Sequence, residues 1–578
     1  MFLPWVSAVA SYFGARQLLL VIFFMLGLSV FVALLRLRAS LSDRLFPVVI
    51  ICLGLSLLFS GTAVSEYLSG WDIHREFYIF LQVSRDGIWR TGTSFGSQYN
   101  SVLSISILPT IISAVSSFDG VSVLKFIFPT LFSVVPVVLY KIYRKILPPE
   151  AAFLSVFVFI SYPGSYVEII QLGRQEIGEL LLVLLFWSFL STKISGRQAG
   201  RVAILLLTVG VAVSHYSLAY VYLSLMAFSI LFSRVSHRSA ALGTLTTLCL
   251  SVVVTLIWYV SVAGGTALIS VTKFLSFVAR GLTEDFLAPS SRPSIVSDAL
   301  GLTQIVPGPL HTLSRVTQYA LVFSIILGFF VFMRKRNKDL TERKMIPLMI
   351  GSLCMLASAV ILPNFASGLN LSRFYHIALL LVSPCFYFGA ERLGSAFRAI
   401  PLSIFRDVRV RVSLLREGSV PAAILFSYLL FSSGWVWAVT MDNPTSPVLD
   451  WQRMANSADV NLKVQYYSIY VVAQDVAAAR WVKSHVSTRS AVCADSISRN
   501  HVLTSYGERG LGPIQLPGGC DFSADYVYLS VLNTAQGIGI SEDGSIWAVS
   551  RISMPLSAGN KIYSDGANVY LGSGPDEP

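Results

Sequence analysis

Apolar residues fall in long blocks along this chain. Runs of roughly 15 to 23 apolar residues lie near 17–35, 46–65, 121–140, 151–166, 176–190, 202–214, 217–232, 240–262, 316–333, 345–362, 375–390 and 419–439. A helix crosses the hydrocarbon core of a bilayer with about 20 such residues. The pattern therefore predicts about twelve transmembrane helices, the fourth to sixth of them short. A further apolar stretch, 101–117, contains Pro109 and borders a polar loop. It is expected to be re-entrant or interfacial. The first run is too long for a signal-peptide core and no small-residue cleavage site follows it, so it is expected to stay as a span.

Composition agrees. Of 578 residues, 54% are hydrophobic and 13% charged, against about 25% charged in soluble domains. This excludes a disordered chain, a coiled coil, a disulfide-dense secreted domain and an ordinary cytosolic enzyme. The net charge of +12 reflects topology. Of the 43 Lys and Arg, 23 cluster in alternate short loops, at Arg36–Arg44, Lys141–Lys145, Lys193–Arg201, Arg234–Arg238, Arg334–Lys344 and Arg392–Arg416. By the positive-inside rule these loops are cytoplasmic. The expectation is a multi-pass cell-membrane protein with N- and C-termini both extracytoplasmic. No basic run is interleaved with aromatics on a soluble stretch, so no nucleic-acid partner is expected. The inner loops carry no phosphate-binding glycine motif, which argues against a nucleotide-driven pump.

The outer face then carries loops 66–120 and 263–315 and the tail 441–578. Composition changes after Thr440, and Asp442–Pro447 reads as a turn-rich linker. Beyond it, AQDVAAARWVKSHV is an Ala-rich amphipathic helix, and SAVCADS and ADYVYLSVL read as strands around a Gly/Pro-rich segment. The expected organisation is a transmembrane domain over 1–440 and a small extracytoplasmic α/β domain over 441–578. Cys493 and Cys520, the one cysteine pair in a polar region, are either a disulfide on the outer face or two thiols.

Ionisable groups at membrane depth are costly and need a reason. Four clusters border the outer face. In GWDIHREFYIFLQVSRDGIWR, Asp72 and Glu76 are four apart and share a helix face beside His74 and Arg75. Ile73, Phe77 and Phe80 give that helix an apolar side suited to the interface. Its charges are either a solvated anchor or a catalytic carboxylate pair. In YPGSYVEIIQLGRQEIGE, Arg174 and Glu176 open a span; a structural Arg–Glu pair is the bland alternative. His215 lies in a short turn between spans, where a satisfied structural histidine is the more common reading. Arg373, Tyr375 and His376 stand at the end of another span, either as an interfacial anchor or as a phosphate site. Carboxylates and cations on one face suit sugar transfer from a lipid phosphate. Asp72 or Glu76 would take the proton of an acceptor hydroxyl. Arg174, Arg373, Tyr375, His376 and His215 would hold the departing phosphate.

The segments WDIHREFYIFLQV, QLGRQEIGELL, VSHYSLAYVYL and LNLSRFYHIALLLVSP resemble a family of archaeal predicted multi-spanning membrane proteins. That resemblance covers roughly 60–390 and, more loosely, the tail helix and LTSYG. The family is in turn similar to the type C (GT-C) glycosyltransferases, which include protein O-mannosyltransferases, aminoarabinose transferases and oligosaccharyltransferase catalytic subunits. The resemblance implies a GT-C-like polytopic fold and a catalytic acidic residue in the first outer loop, here Asp72 or Glu76. It also implies a polyprenyl-phosphate-linked sugar donor and a glycan, lipid or protein acceptor. The pattern here is Asp-x-x-x-Glu, without the adjacent acidic pair or Asp-x-Asp of parts of that superfamily, and the acidic loop follows a second span. The identity of the base and a role for a divalent metal therefore stay open. A transporter or flippase for a lipid-linked or small substrate is the alternative function. The lack of an internal repeat and the crowding of charge at the outer edge weigh against it.

Overall fold

The computed structural model describes residues 3–36, 43–91, 97–191, 198–284, 308–335, 338–398, 418–444, 446–510, 514–522, 525–552, 556–557 and 559–571. Part of the predicted outer loop 263–315 and of the basic loops, including Arg38, Lys193, Arg197, Arg336 and Arg406–Arg416, lies outside these residues. The chain forms two compact units: residues 1–61, 129–169 and 175–449, and residues 62–128, 170–174 and 450–578.

A helix meets each of the twelve apolar runs. They are Arg16–Arg36, Leu45–Thr62, Gly120–Tyr143, Pro149–Ser161, Gly173–Leu190, Gln198–Ser214, Tyr216–Val235, Leu245–Val262, Pro309–Arg334, Leu340–Ile361, Leu371–Arg398 and Ser419–Ser432. By length and composition, seven helices among the described residues can cross a membrane. The chain is thus an α-helical polytopic membrane protein with a small sheet domain at its C-terminal end. Gly173–Leu190 carries Arg174, Glu176 and Glu179 in its first two turns, which sets it apart from the uniformly apolar helices.

Within the larger unit, burial separates core helices from peripheral ones. Every residue from Ala151 to Ser161 is buried. Leu245–Val262 instead exposes Leu250, Val253, Leu256 and Ile257. Such an apolar outer surface is stable against lipid tails, so packing here relies on close contact between small residues. Pro309–Arg334 and Leu371–Arg398 show this directly. A Cβ added at Gly328 would lie 1.7 Å from the Cys385 carbonyl oxygen, and one at Gly389 would lie 1.8 Å from that of Ser324. The two backbones touch where no other residue fits. Elsewhere the Tyr143 hydroxyl donates to the Leu380 carbonyl at 3.0 Å, and Arg144 pairs with Asp43 at 2.9 Å.

The second unit joins the first polar loop to the tail. Its sheet has the order β2-β1-β3-β7-β6, with β1 Val492–Ala494, β2 Ile514–Gln515, β3 Tyr526–Leu529, β6 Asn560–Ser564 and β7 Asn568–Leu571. β1 runs parallel to β2 and β3, whereas β7 is antiparallel to β3 and β6. β4 Ile538–Ile540 and β5 Ile546–Ala548 form a separate antiparallel pair. Cys493, Leu516, Val527, Leu529, Trp547 and Ile552 make the core. Cys493 and Cys520 form a disulfide that fastens the loop after β2 to that core. The predicted Ala-rich helix is Ala473–His485, and it buries Val476, Ala478, Ala479 and Val482. The stretch read as re-entrant or interfacial contributes a short helix, Ile107–Ser116.

Candidate active site

The acidic cluster is built on the helix Asp72–Asp86, which buries Ile73, Phe77, Ile79 and Phe80. Spacing of four places Asp72 and Glu76 one turn apart on the same face. That face is not solvated, as an anchor would require: Glu76 is fully buried and Asp72 keeps 19% of its side chain exposed. Arg174, with 4% of its side chain exposed, holds both carboxylates. Its Nη2 donates to Asp72 Oδ2 at 2.7 Å and its Nη1 to Glu76 Oε1 at 2.6 Å. Its backbone N–H donates to Glu76 Oε2 at 3.2 Å. The guanidinium also lies 4.6 Å over the Tyr99 ring, a cation–π contact. Position 173 must be small, because a Cβ there would lie 2.9 Å from Glu76 Oε2.

Two carboxylates share one guanidinium, so their environments separate them. Burial pushes the Glu76 carboxyl up to about 7, the negative charge of Asp72 adds to that, and Arg174 opposes both. Near neutral pH, Glu76 thus exchanges its proton while buried, beside the more exposed Asp72. Pairs of this kind suit acid–base chemistry.

His74, between the two acids, points to the other side of the helix. Its Nδ1 lies 2.8 Å from Ser505 Oγ, and burial pulls its imidazole down to about 3. Arg75 donates to Asn500 Oδ1 at 2.8 Å. Neither residue joins the acidic cluster.

Glu176, His215, Arg373, Tyr375 and His376 belong to the larger unit. His215 is buried and caps the helix Tyr216–Val235, accepting from the Leu218 N–H at 3.3 Å. Arg373 lies in the first turn of Leu371–Arg398, half-buried. The Tyr375 ring meets that of Tyr162 edge-on at 5.1 Å. His376 is buried between Glu179 Oε2 at 2.8 Å and Ser165 Oγ at 3.3 Å. Gln175 donates to the second Glu179 oxygen at 2.7 Å. Glu176 is fully buried. The sequence reading assigned no role to Glu179 or Ser165. The spacing of Gln175 and Glu179 by one turn was the available signal for the first of them.

Among the described residues, one group of three metal-type ligands lies close together: Cys493, Cys520 and Asp525. Two of these are consumed by the disulfide. Asp72 and Glu76 instead face a cation supplied by the protein itself.

The fold and this cluster define a polytopic membrane protein with a buried carboxylate–arginine centre in its smaller unit. Residues 201–569 match the family described as a predicted membrane protein, DUF2206, and the chain belongs to that family. No curated protein matches the chain in sequence. Among solved structures, the chain is similar to the Archaeoglobus fulgidus oligosaccharyltransferase in its apo form. That match has 14% identity and a TM-score of 0.45 over 85% of this chain and 70% of that one. The same enzyme in complex with Zn and sulfate gives 15% identity and a TM-score of 0.44 over 87% and 72%. ArnT from Cupriavidus metallidurans bound to undecaprenyl phosphate gives 12% identity and a TM-score of 0.41 over 91% and 97%.

Proposed function

We propose that this protein is a membrane glycosyltransferase. It moves a sugar from a polyprenyl-phosphate-linked donor to an acceptor hydroxyl on the extracytoplasmic face. The observation that carries this reading is the Asp72–Arg174–Glu76 centre, an expensive cluster with no need to exist for packing alone. Asp72 is the more exposed carboxylate and takes the acceptor's proton. The freed oxygen attacks the anomeric carbon as the bond to the lipid phosphate breaks. A phosphate is a good leaving group without protonation, so a single displacement suffices and the anomeric configuration inverts. Two-carboxylate glycoside hydrolases differ in that one carboxylic acid must protonate the leaving oxygen. Arg174 holds Asp72 aimed at 2.7 Å, and burial keeps Glu76 from carrying a full negative charge near neutral pH.

The test is to reconstitute the full chain in vesicles with polyprenyl-phosphate sugars and a pool of hydroxyl acceptors. Proton NMR of the product then reads the anomeric configuration. Transfer with inversion is expected. Absence of transfer from every such donor, or retention of configuration, would overturn the reading.

A further inference from the structure

We propose that the tail segment 498–506 is a positioning element for the acidic helix, acting through His74, Arg75 and Trp71, with a water molecule as part of the device. The inference rests on the reading of Asp72 as a working carboxylate. It adds that the site is assembled from two stretches of chain more than 400 residues apart in sequence.

The contacts are specific. Ser505 Oγ lies 2.8 Å from His74 Nδ1 and donates its one proton to the His74 carbonyl at 3.2 Å. Two bonds to one serine fix both the backbone and the side chain of a residue lying between Asp72 and Glu76. Asn500 accepts from Arg75 at 2.8 Å. Tyr506 accepts from the Leu68 N–H at 3.1 Å, just ahead of the helix. His501 stacks on His74 at 5.0 Å with the rings 13° apart, and meets Trp71 edge-on at 4.5 Å. The residues flanking Asp72 are thus gripped from the tail.

His501 is fully buried, and neither ring nitrogen has a hydrogen-bond partner among the described residues. Such a group costs free energy unless water serves it. The ring lines a cavity of about 10 Å³ together with Tyr467, Tyr470, Asp475, Ser498 and Ser530. That is room for one water, with hydroxyl and carboxylate partners around it. Burial pushes the Asp475 carboxyl up to about 7, so near neutral pH this wall has a proton to donate as well as oxygens to accept. Water in the cavity satisfies His501 and keeps it seated against Trp71 and His74.

Ser505→Ala and Asn500→Ala in the full chain test the idea. Hydrogen exchange of the amides of residues 71–77 is followed by mass spectrometry, alongside sugar transfer by the same preparations. Ser505→Ala is expected to speed exchange in that segment about tenfold and to lower kcat by about the same factor, with donor KM unchanged. Asn500→Ala moves both in the same direction. His501→Asn, which keeps a donor and an acceptor for the water, is expected to retain more kcat than His501→Leu. Unchanged exchange at residues 71–77 in both alanine variants overturns the positioning role, whether or not the protein transfers sugar. So does a loss seen only in KM. Faster exchange in a protein that transfers no sugar would leave the positioning role standing and remove the glycosyltransferase reading instead.

Discussion

Arg174→Met isolates what the shared guanidinium does. The side chain is of similar length and apolar, so the change removes charge and hydrogen bonds with little loss of volume. Asp72 and Glu76 lose bonds of 2.7 and 2.6 Å, and Tyr99 loses its cation. Leaving a buried charge without its partner costs about 3–5 kcal/mol. The cost here depends on pH, because Glu76 can escape it by holding a proton. In the wild type its carboxyl titrates at about 7 instead of 4.5. Without Arg174 that value rises further. At pH 5.5 Glu76 is protonated with or without the arginine, so the variant loses only the Asp72 contact, about 1–2 kcal/mol for a part-exposed acid. Above pH 7 the wild type gains from ionising Glu76 against Arg174 and the variant cannot. The deficit then grows by about 1.4 kcal/mol per pH unit. Thermal melts of the purified full chain at pH 5.5 and 8, followed by tryptophan fluorescence, read this directly. The melting temperature should fall at both pH values and further at pH 8. An equal fall at both would mean that Glu76 does not titrate in this range, and a fall at pH 5.5 alone would reverse the sign.

Glu76→Gln should flatten the pH dependence itself. A raised carboxyl contributes stability that is present below pH 4.5 and lost as pH rises through about 7, a change of roughly 3 kcal/mol for this group; a variant with the wild-type slope in its melts between pH 4.5 and 8 would contradict this. Cys520→Ser opens a disulfide whose ends are 27 residues apart, which should destabilise the tail by about 3.5 kcal/mol. Faster proteolysis confined to residues beyond 450 would show it, and no change would count against a closed bridge. Gly328→Val should prevent the close crossing of Pro309–Arg334 and Leu371–Arg398 and cost several kcal/mol, read as loss of folded protein on size-exclusion chromatography. Wild-type yield would mean that these helices do not touch there.

Much of this architecture is legible in one sequence, because lipid imposes a simple rule. A helix must hide its own backbone and show apolar side chains, so length and hydropathy locate it. The run at 176–190 shows the limit. Its helix begins at Gly173, since Arg174 is paired with Asp72 and Glu76, partners the pattern cannot see. Asp72 and Glu76 are visible as a pair because four residues make one helical turn. Their meeting with Arg174 is not, since it spans about a hundred residues of chain and depends on tertiary packing. The grip of Asn500, His501 and Ser505 on the acidic helix is harder still to read. Polar residues in SRNHVLTSYGE look like an ordinary surface loop, and only burial reveals that they face inward. The tail strands at Val492–Ala494 and Tyr526–Leu529 fall where β-branched and aromatic runs predicted them. The mixed parallel and antiparallel order has no local signature.

Asp72→Asn is the most direct test of the acid at the centre of the reaction. The change keeps the shape of the side chain and a hydrogen-bond acceptor for Arg174, and removes the negative charge and with it the ability to take a proton. Purified wild type and variant would be reconstituted side by side with a polyprenyl-phosphate sugar labelled in the sugar, and the transferred label counted. Label should move with the wild type and fall by at least a thousandfold, about 4 kcal/mol of barrier, with the variant, while the variant stays folded and melts only slightly lower for the lost Asp72–Arg174 ion pair. Transfer by Asp72→Asn at the wild-type rate would remove Asp72 from the chemistry.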